Sequence, residues 1–269
     1  MSGTWTVTRT AVAPIHTFTA PEAGWLVTSH VIELPMQLLV VDAQYRLSYA
    51  REVARYANAL NKLVSRLYVT HYHPDHILGA EAFAAPVYAL RQVASKIGKV
   101  GDRVALEEHA IVGDDVPDHA RRPDHQVCEG DEIIDGVNIR HIRLTQVETE
   151  DALVISLPDA RAIIAQDLVY NRAHVFLGER NFDSWRVALR TYRDLPYDIV
   201  LPGHGLPGGN TLYDQMIAYL DFAQEALRTS VASTEFVGKL EAQFPDYGCH
   251  KVLHHQVRFL FPGEVAAHA

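Results

Sequence analysis

Six consecutive residues, HYHPDH at positions 71–76, constrain the fold of this chain more than any other stretch. The motif directly follows a short apolar run that is typical of a buried strand. At a strand end, residues two apart point to the same face, so His71 and His73 can bind one ion together. The proline that follows is favoured at the first position of a helix, and such a turn directs Asp75 and His76 towards a neighbouring ion. The motif therefore predicts a site for two metal ions.

The motif resembles the H-x-H-x-D-H hallmark of the metallo-β-lactamase superfamily, and two later stretches are similar to further motifs of that family. The apolar segment 162–166 ends at Asp167, which resembles the family's metal-bridging aspartate. The segment 201–204 (LPGH) resembles the strand end that carries its last histidine ligand. The resemblance extends from about Thr17 to about Gly209. It implies the metal ligands His71, His73, Asp75, His76, Asp167 and His204, and a catalytic role for Asp75 in orienting the attacking hydroxide or carrying its proton.

One position departs from the family pattern. The family usually places a histidine between the first motif and the bridging aspartate, and segment 145–151 contains none. Counting back from the end of the next strand puts Glu148 at that position, where the alkylsulfatase-like branch of the family has a glutamate. We predict that Glu148 joins the first two histidines in a His2Glu set like that of catalytic zinc sites. Gln146 and Glu150 are competing candidates, and a solvated loop position for Glu148 is the alternative.

A glutamate in place of histidine would change the charge of the site. Asp75, Asp167 and Glu148 together carry three negative charges against the four positive charges of two divalent ions, which leaves one charge for a bridging hydroxide. A more neutral site should lower the pKa of bound water less than a site with one more positive charge. We therefore expect the pH-rate profile of the natural protein to lie at higher pH than that of Glu148→His.

The composition is that of a globular protein acting on small molecules. The chain has 269 residues, of which 48% are hydrophobic, and a formal net charge of −9, which disfavours a nucleic-acid or anionic-membrane partner. Cys128 and Cys249 are the only cysteines and are interpreted as buried thiols rather than a disulfide framework. No signal sequence or membrane-spanning apolar stretch is recognised, so a cytoplasmic location is expected.

Hydrophobic periodicity predicts alternating strands and helices. Predicted strands cover 5–10, 24–34, 36–41, 67–70, a short stretch near Val87, and a second sheet made of 126–128, 132–134, 137–144, 152–157 and 162–165, with 198–201 delivering His204. Predicted helices cover 48–64 with Ser48 as N-cap, 75–84, 91–109 with a break near 98–101, 183–195, 212–229, 234–244 and 247–261. Asp42 is interpreted as a turn or capping residue outside the site.

Two loops are candidates for substrate contacts. Segment 110–124 carries two prolines and many charges, and we expect it to cover the active site. Segment 169–181 follows the bridging aspartate and places Tyr170, His174 and Phe176 near the metal face, with simple loop packing as the alternative. A further group, His250, His254 and His255, shares one helical face, but no carboxylate completes a second metal site there.

These elements fit the αββα sandwich that the resemblance implies, in which two mixed β-sheets are flanked by helices and the metals lie at one edge. Residues 1–209 are expected to form this domain, and residues 210–269 a C-terminal helical extension packed on it. The resulting prediction is a hydrolase with two Zn²⁺ ions, whose bound hydroxide cleaves a small ester, lactone, amide or related bond. Iron or manganese is the alternative metal, and a metal-binding or regulatory protein with little turnover is the alternative function. The sequence leaves the substrate and the oligomeric state open.

Overall fold

A computed structural model describes residues 2–265, and its first half is built on a seven-stranded sheet. The strands of this sheet follow one another in chain order, antiparallel for the first four and parallel from the fourth onward. They are β1 (Thr4–Thr8), β2 (Ile15–Thr19), β3 (Thr28–Glu33), β4 (Gln37–Val41), β5 (Leu63–Tyr68), β6 (Val87–Leu90) and β7 (His125–Val127). Because β4 and β5 run parallel, their carboxyl ends lie at the same edge of the sheet.

The second half forms a five-stranded sheet with the order β12-β11-β10-β9-β8. Its strands are β8 (Gly130–Ile134), β9 (Val137–Thr145), β10 (Asp151–Leu157), β11 (Ala162–Tyr170) and β12 (Ile199–His204). Only β11 and β12 are parallel, and their pairing places Tyr170 beside His204. Apolar residues from both sheets share one core cluster, so the two mixed sheets pack together as the predicted sandwich.

Helices flank the two sheets. They are α1 (Leu47–Ala59), α2 (Pro74–Ile77), α3 (Arg91–Val112), α4 (Phe182–Arg193), α5 (Thr211–Thr229), α6 (Ser233–Gln243), α7 (His250–Leu260) and α8 (Pro262–Val265). Helices α4 to α7 share a second core cluster with β10, β11 and β12, in which the side chains of Trp185, Tyr219 and Phe236 are buried. Within the described residues, no helix combines the length and the apolar character needed to cross a bilayer.

Several predicted elements need correction. The strand near 126–128 is β7, which pairs in parallel with β6 and so belongs to the first sheet rather than the second. β2 was not predicted. The predicted break near 98–101 is absent from α3, because Gly101 is buried and lets the helix approach Ala120 closely: an added Cβ would lie 2.9 Å from the Cβ of that residue. The helix therefore continues through both Gly98 and Gly101.

Two local predictions in the first half were also wrong. The predicted helix 75–84 is divided into α2 and a 3-10 helix, Leu78–Ala82. Ser48 is not the N-cap of α1, since the helix begins at Leu47 and Asp115 accepts hydrogen bonds from both the backbone N–H and the hydroxyl of Ser48.

The two cysteines have different environments. Cys249 is buried, as expected. Cys128 is exposed, because it directly follows β7, the edge strand of the first sheet.

Candidate metal centre

The 71–76 motif lies just beyond the carboxyl end of β5, as its sequence predicts. His71 and His73 follow the strand, and Pro74 begins α2, whose single turn presents Asp75 and His76. All four ligand-type side chains are buried at the edge where β4 and β5 end. Asp167 on β11 and His204 at the end of β12 approach from the second sheet, so each sheet contributes donors to one cluster.

The first group of donors surrounds Glu148, which lies in the loop between β9 and β10. Its Oε1 is 3.0 Å from His73 Nδ1, and its Oε2 is 3.5 Å from His71 Nε2. The other two candidates for this position, Gln146 and Glu150, are exposed and lie outside the cluster. Glu150 Oε2 is instead 3.9 Å from Lys96 Nζ. The structure thus brings Glu148, and neither competitor, to the two histidines.

The second group consists of Asp75, His76 and His204. Asp75 Oδ2 is 3.3 Å from His76 Nε2 and 3.2 Å from His204 Nε2. Asp167 lies between the two groups: its Oδ1 is 3.3 Å from His76 Nε2, and its Oδ2 is 3.3 Å from His204 Nε2 and 3.8 Å from His71 Nε2. The Asp167 carboxylate is thus within 4 Å of donors from both groups.

The cluster fits metal ions because several of its buried donor atoms are left without a partner in the protein. Five of them have no hydrogen-bond partner among the described residues: His71 Nε2, His76 Nε2, Glu148 Oε2, Asp167 Oδ1 and His204 Nε2. Buried polar atoms without partners are costly, and a divalent cation would satisfy all of these at once. The ligand atoms of His71, His73, Glu148 and Asp167 lie within 4.8 Å of one another, and so do those of Asp75, His76 and His204.

Hydrogen bonds outside the cluster turn three imidazoles towards it. His76 Nδ1 donates to Asp42 Oδ2 at 2.7 Å, and His204 Nδ1 donates to the Trp25 carbonyl at 2.7 Å. Thr70 Oγ1 donates to Asp42 Oδ2 and therefore accepts from His71 Nδ1, 3.1 Å away. These acceptors hold a proton on Nδ1 of each imidazole, so that Nε2 faces the cluster and is the nitrogen that would bind a metal ion.

Asp42 has a larger part in this arrangement than the sequence indicated. Its carboxylate accepts from the Thr70 backbone and hydroxyl, from His76 and from the Gln166 amide. The ligand atoms of Asp42, His71 and His76 also lie close together, but the oxygens of Asp42 are already occupied by these donors. Asp42 is thus a positioning residue, and interpreting it as a turn residue outside the site missed this role.

Burial and charge set the protonation of the carboxyl groups. Burial raises the pKa of Glu148 to about 7, while the charge of His73 opposes the rise. Burial would also raise the pKa of Asp167, but the charges of His76 and His204 hold it well below its ordinary value. A cation beside Glu148 would favour its ionised form.

Tyr170 joins the two carboxylates most central to the cluster. Its hydroxyl lies 2.6 Å from Asp167 Oδ2 and 3.2 Å from Glu148 Oε1, and its ring stacks on His204 with 4.4 Å between ring centroids. Burial, followed by the charge of Asp167, raises the pKa of Tyr170 well above its ordinary value. The phenol therefore stays protonated and donates a hydrogen bond within the cluster.

A cavity of about 460 Å³ opens beside the donors and is lined by four of them, His73, Asp75, Glu148 and His204. Tyr170 and Phe176 line it as well, whereas His174 is buried against Tyr219 and lies outside it. The predicted cover, segment 110–124, contributes no lining residue. Residues of helices α3 and α7 line the cavity instead, because both helices pack beside the edge that carries the cluster.

A family model described as the metallo-beta-lactamase superfamily matches residues 23–204, which is more than half of the chain. The chain belongs to this superfamily. The match to the superfamily includes every donor of the cluster and ends at His204, so α5 to α8 lie outside it.

One curated relative is the linear primary-alkylsulfatase of Pseudomonas sp. (strain ATCC 19151). It is 24% identical over 217 residues, and the match covers 66% of this chain and 41% of the relative. The chain therefore spans less than half the length of that protein.

Solved structures show the same superfamily fold. A metallo-beta-lactamase from Pontibacter korlensis has a TM-score of 0.64 and 19% identity, covering 81% of this chain and 99% of that one. FIM-1 from Pseudomonas aeruginosa, solved in its mono-zinc form, has a TM-score of 0.59 and 17% identity, covering 82% of this chain and 96% of that one.

Proposed function

We propose that this chain is a hydrolase that uses two zinc ions to cleave a small ester, lactone, amide or related bond. One observation carries the proposal: five buried donor atoms without hydrogen-bond partners converge from both sheets on one edge. Superfamily membership supports hydrolysis, and the alkylsulfatase relative supports including sulfate esters among the candidate substrates.

The proposed metal ligands divide into two sets that share Asp167. His71, His73 and Glu148 would hold one ion, and Asp75, His76 and His204 the other. When bound, such ions supply an activated water and a Lewis acid for the oxygen of the bond under attack. Mixed imidazole and carboxylate donors suit zinc, with iron or manganese as alternatives.

The protein's own groups would prepare this site before substrate arrives. Asp42, Thr70 and the Trp25 carbonyl keep three imidazoles in one tautomer, so little reorganisation is needed during the reaction. Asp75 lines the cavity, and its carboxylate would accept or return a proton there. Apolar lining residues such as Phe176 would exclude water from the substrate's remaining surface.

The proposal is tested by metal analysis of protein purified without added zinc, as natural protein and as Glu148→Ala. We expect about two equivalents in the natural protein and about one in the variant. Glu150→Ala is the matched control, because it removes an exposed carboxylate two residues away and should leave metal content unchanged. Equal metal content in the natural protein and Glu148→Ala would exclude Glu148 as a ligand.

Activity is measured in parallel on β-lactam, lactone, thioester, phosphate ester and sulfate ester substrates. Metal-dependent turnover that is lost in Glu148→Ala and kept in Glu150→Ala would support the hydrolase. One tightly held ion with no turnover on any substrate would contradict it and favour a metal-binding or regulatory protein.

A further inference from the structure

The wall of the cavity opposite the superfamily motifs comes partly from the C-terminal helix α7. Val252, His255, Arg258 and Phe259 line the cavity, and their spacing of three, four and seven residues places them on one helical face. This helix lies beyond the residues that the family model matches. Features of the substrate that this face recognises therefore lie outside what the superfamily match describes.

The carboxylates in the same wall already have donors. Arg103 Nη1 is 2.8 Å from Glu107 Oε1, and the hydroxyl of Tyr45 donates to buried Glu108. Across the cavity, the Tyr72 hydroxyl donates to Glu179 at 3.1 Å. These negative groups are thus partnered within the protein.

Arg258 differs from these carboxylates, because it makes no ion pair within the described residues. Within residues 2–265, no carboxylate oxygen lies within 4 Å of its guanidinium nitrogens. One of its N–H groups donates to His255 Nε2 at 2.9 Å, and the guanidinium carbon lies 4.8 Å from the ring centroid of Phe259. A guanidinium has five N–H donors, so most of them remain for a ligand in the cavity.

His255 fixes the direction of this cation. Burial, and then the charge of Arg258, lowers the pKa of His255 to about 4, so the imidazole is neutral near pH 7 and its Nε2 accepts the hydrogen bond. The His255 ring packs against Trp25 with 5.7 Å between ring centroids. The arginine is held at contact distance by a neutral acceptor, while its charge acts on Glu108, where it opposes the rise in pKa that burial causes.

Helix α7 is anchored firmly enough to position a binding group. The buried Gln256 side chain accepts from the Leu177 backbone at 2.7 Å and donates to the Val175 carbonyl at 3.2 Å. At the start of the helix, Glu22 accepts from the backbone N–H of Cys249 at 2.9 Å. The face of α7 is thus fixed against the loop that carries Phe176.

We propose that the substrate carries a carboxylate separate from the bond that is cleaved, and that Arg258 binds this carboxylate. A planar guanidinium pairs with a carboxylate through two parallel hydrogen bonds. Phe176 and Phe259, whose ring centroids are 5.6 Å apart, offer an apolar surface for the chain that joins the two ends of the substrate. The position of the cleaved bond rests on the proposed function, whereas recognition by Arg258 does not.

Binding is tested first, with no turnover required. Dicarboxylates from succinate to suberate, and monocarboxylates of equal chain length, are titrated into the zinc-loaded protein by calorimetry. We expect one dicarboxylate length to bind about tenfold or more tightly than its monocarboxylate partner, and Arg258→Gln to remove that difference. Arg228→Gln, an exposed arginine paired with Glu225 on α5, should keep it.

Hydrolysis is tested second, with mono-(4-nitrophenyl) glutarate and 4-nitrophenyl pentanoate, whose acyl chains differ only in the terminal group. We expect kcat/KM to favour the glutarate ester about tenfold, mainly through KM, and Arg258→Gln to abolish the preference while leaving the pentanoate ester within about twofold.

The outcomes separate the two proposals. Selective dicarboxylate binding through Arg258, without hydrolysis of either nitrophenyl ester or of any substrate in the β-lactam, lactone, thioester, phosphate ester and sulfate ester panel, would support the anion site and contradict the hydrolase. Hydrolysis with no preference for the charged ester, or a preference that survives in Arg258→Gln, would overturn the anion site and leave the hydrolase standing. Equal binding of mono- and dicarboxylates at every length would overturn it as well.

Discussion

Asp42 shows how much of a metal site depends on a residue that need not touch a metal. It accepts hydrogen bonds from His76 and Thr70, and through Thr70 it also orients His71. Its backbone has a φ of 60°, an unusual conformation for a residue other than glycine, which the surrounding hydrogen bonds hold in place. The orientation of two imidazoles thus depends on one carboxylate.

Replacing Asp42 with asparagine should weaken zinc binding about 10- to 100-fold, since the amide keeps the shape but removes one acceptor. Titration of the metal-free variant with zinc measures the change. Asp198→Asn, at an exposed aspartate paired with Arg161, is the control and should bind zinc normally. An Asp42→Asn variant with unchanged affinity would show that the imidazoles are positioned by other contacts.

Glu148 makes a second prediction at the scale of one residue. In Glu148→His the site would carry one more positive charge, which lowers the pKa of bound water further. The acidic limb of the kcat/KM profile should therefore lie at lower pH in the variant than in the natural protein. Glu150→Gln serves as control, and a natural profile that is not shifted to higher pH relative to Glu148→His would count against the charge argument.

The position of Glu148 could be predicted from the sequence because the family resemblance implies a ligand at a fixed spacing from the next strand, and that spacing is a local quantity. The role of Asp42 could not be predicted in this way. It depends on the parallel pairing of β4 and β5, which brings Asp42 beside Thr70 from a distant part of the chain. Likewise, nothing local distinguishes Arg258 from the other exposed arginines; its place in the cavity wall follows from the docking of α7.

At the scale of elements, β12 approaches β11 so closely that only glycine fits at one point. A Cβ added to Gly203 would collide with the Asp167 carboxylate. Gly205 lies just after the strand, where its positive φ of 88° and the nearby Asn171 carbonyl leave no room for a side chain. The end of β12 is thus shaped around the Asp167 carboxylate.

Gly203→Ala should displace Asp167 and release at least one equivalent of metal, because the two donor sets share this carboxylate. Metal analysis after gel filtration measures the loss. Gly238→Ala in α6 is the control: an added Cβ there meets no atom within 4 Å, and the change should stabilise the helix by ~0.5–1 kcal/mol. Full metal retention in Gly203→Ala would mean that β12 can shift away without cost to the site.

The elements that the sequence predicted best were those with a strong local signal. Helix α4, helices α5 to α7 and strands β8 to β12 lie close to their predicted positions. The sheet to which β7 belongs was mispredicted, because a three-residue strand has no pattern that identifies its partner. The continuity of α3 was mispredicted because packing against Ala120 outweighs the low helix propensity of glycine.

At the scale of the whole molecule, the C-terminal helices and the second sheet share one core. Leu253 on α7 is fully buried in the same cluster as Val169 on β11 and Leu220 on α5. We therefore expect residues 1–209 and the helices that follow to unfold together rather than as separate units.

Leu253→Ala should lower the free energy of unfolding by ~2–5 kcal/mol and move the whole transition, whether it is followed by circular dichroism or by tryptophan fluorescence. Val231→Ala, at a side chain that is 95% exposed, should change it by less than ~0.5 kcal/mol. Two separate transitions, with only one sensitive to Leu253→Ala, would show that the helices form an independent unit.

The Trp25 carbonyl accepts hydrogen bonds from both His204 Nδ1 and the Cys249 thiol, and so joins three distant parts of the chain beside the donor cluster. The donor residues also come from distant parts of the chain, so the order in which they are synthesised bears on metal binding. The 71–76 motif leaves the ribosome well before Glu148, Asp167 and His204, so a growing chain exposes a partial set of strong ligands for much of its synthesis. An ion captured at that stage would lack the donors of the second sheet, Glu148, Asp167 and His204, and we expect it to exchange readily. We therefore expect the final choice of metal to be made late, after the second sheet has closed over the motif.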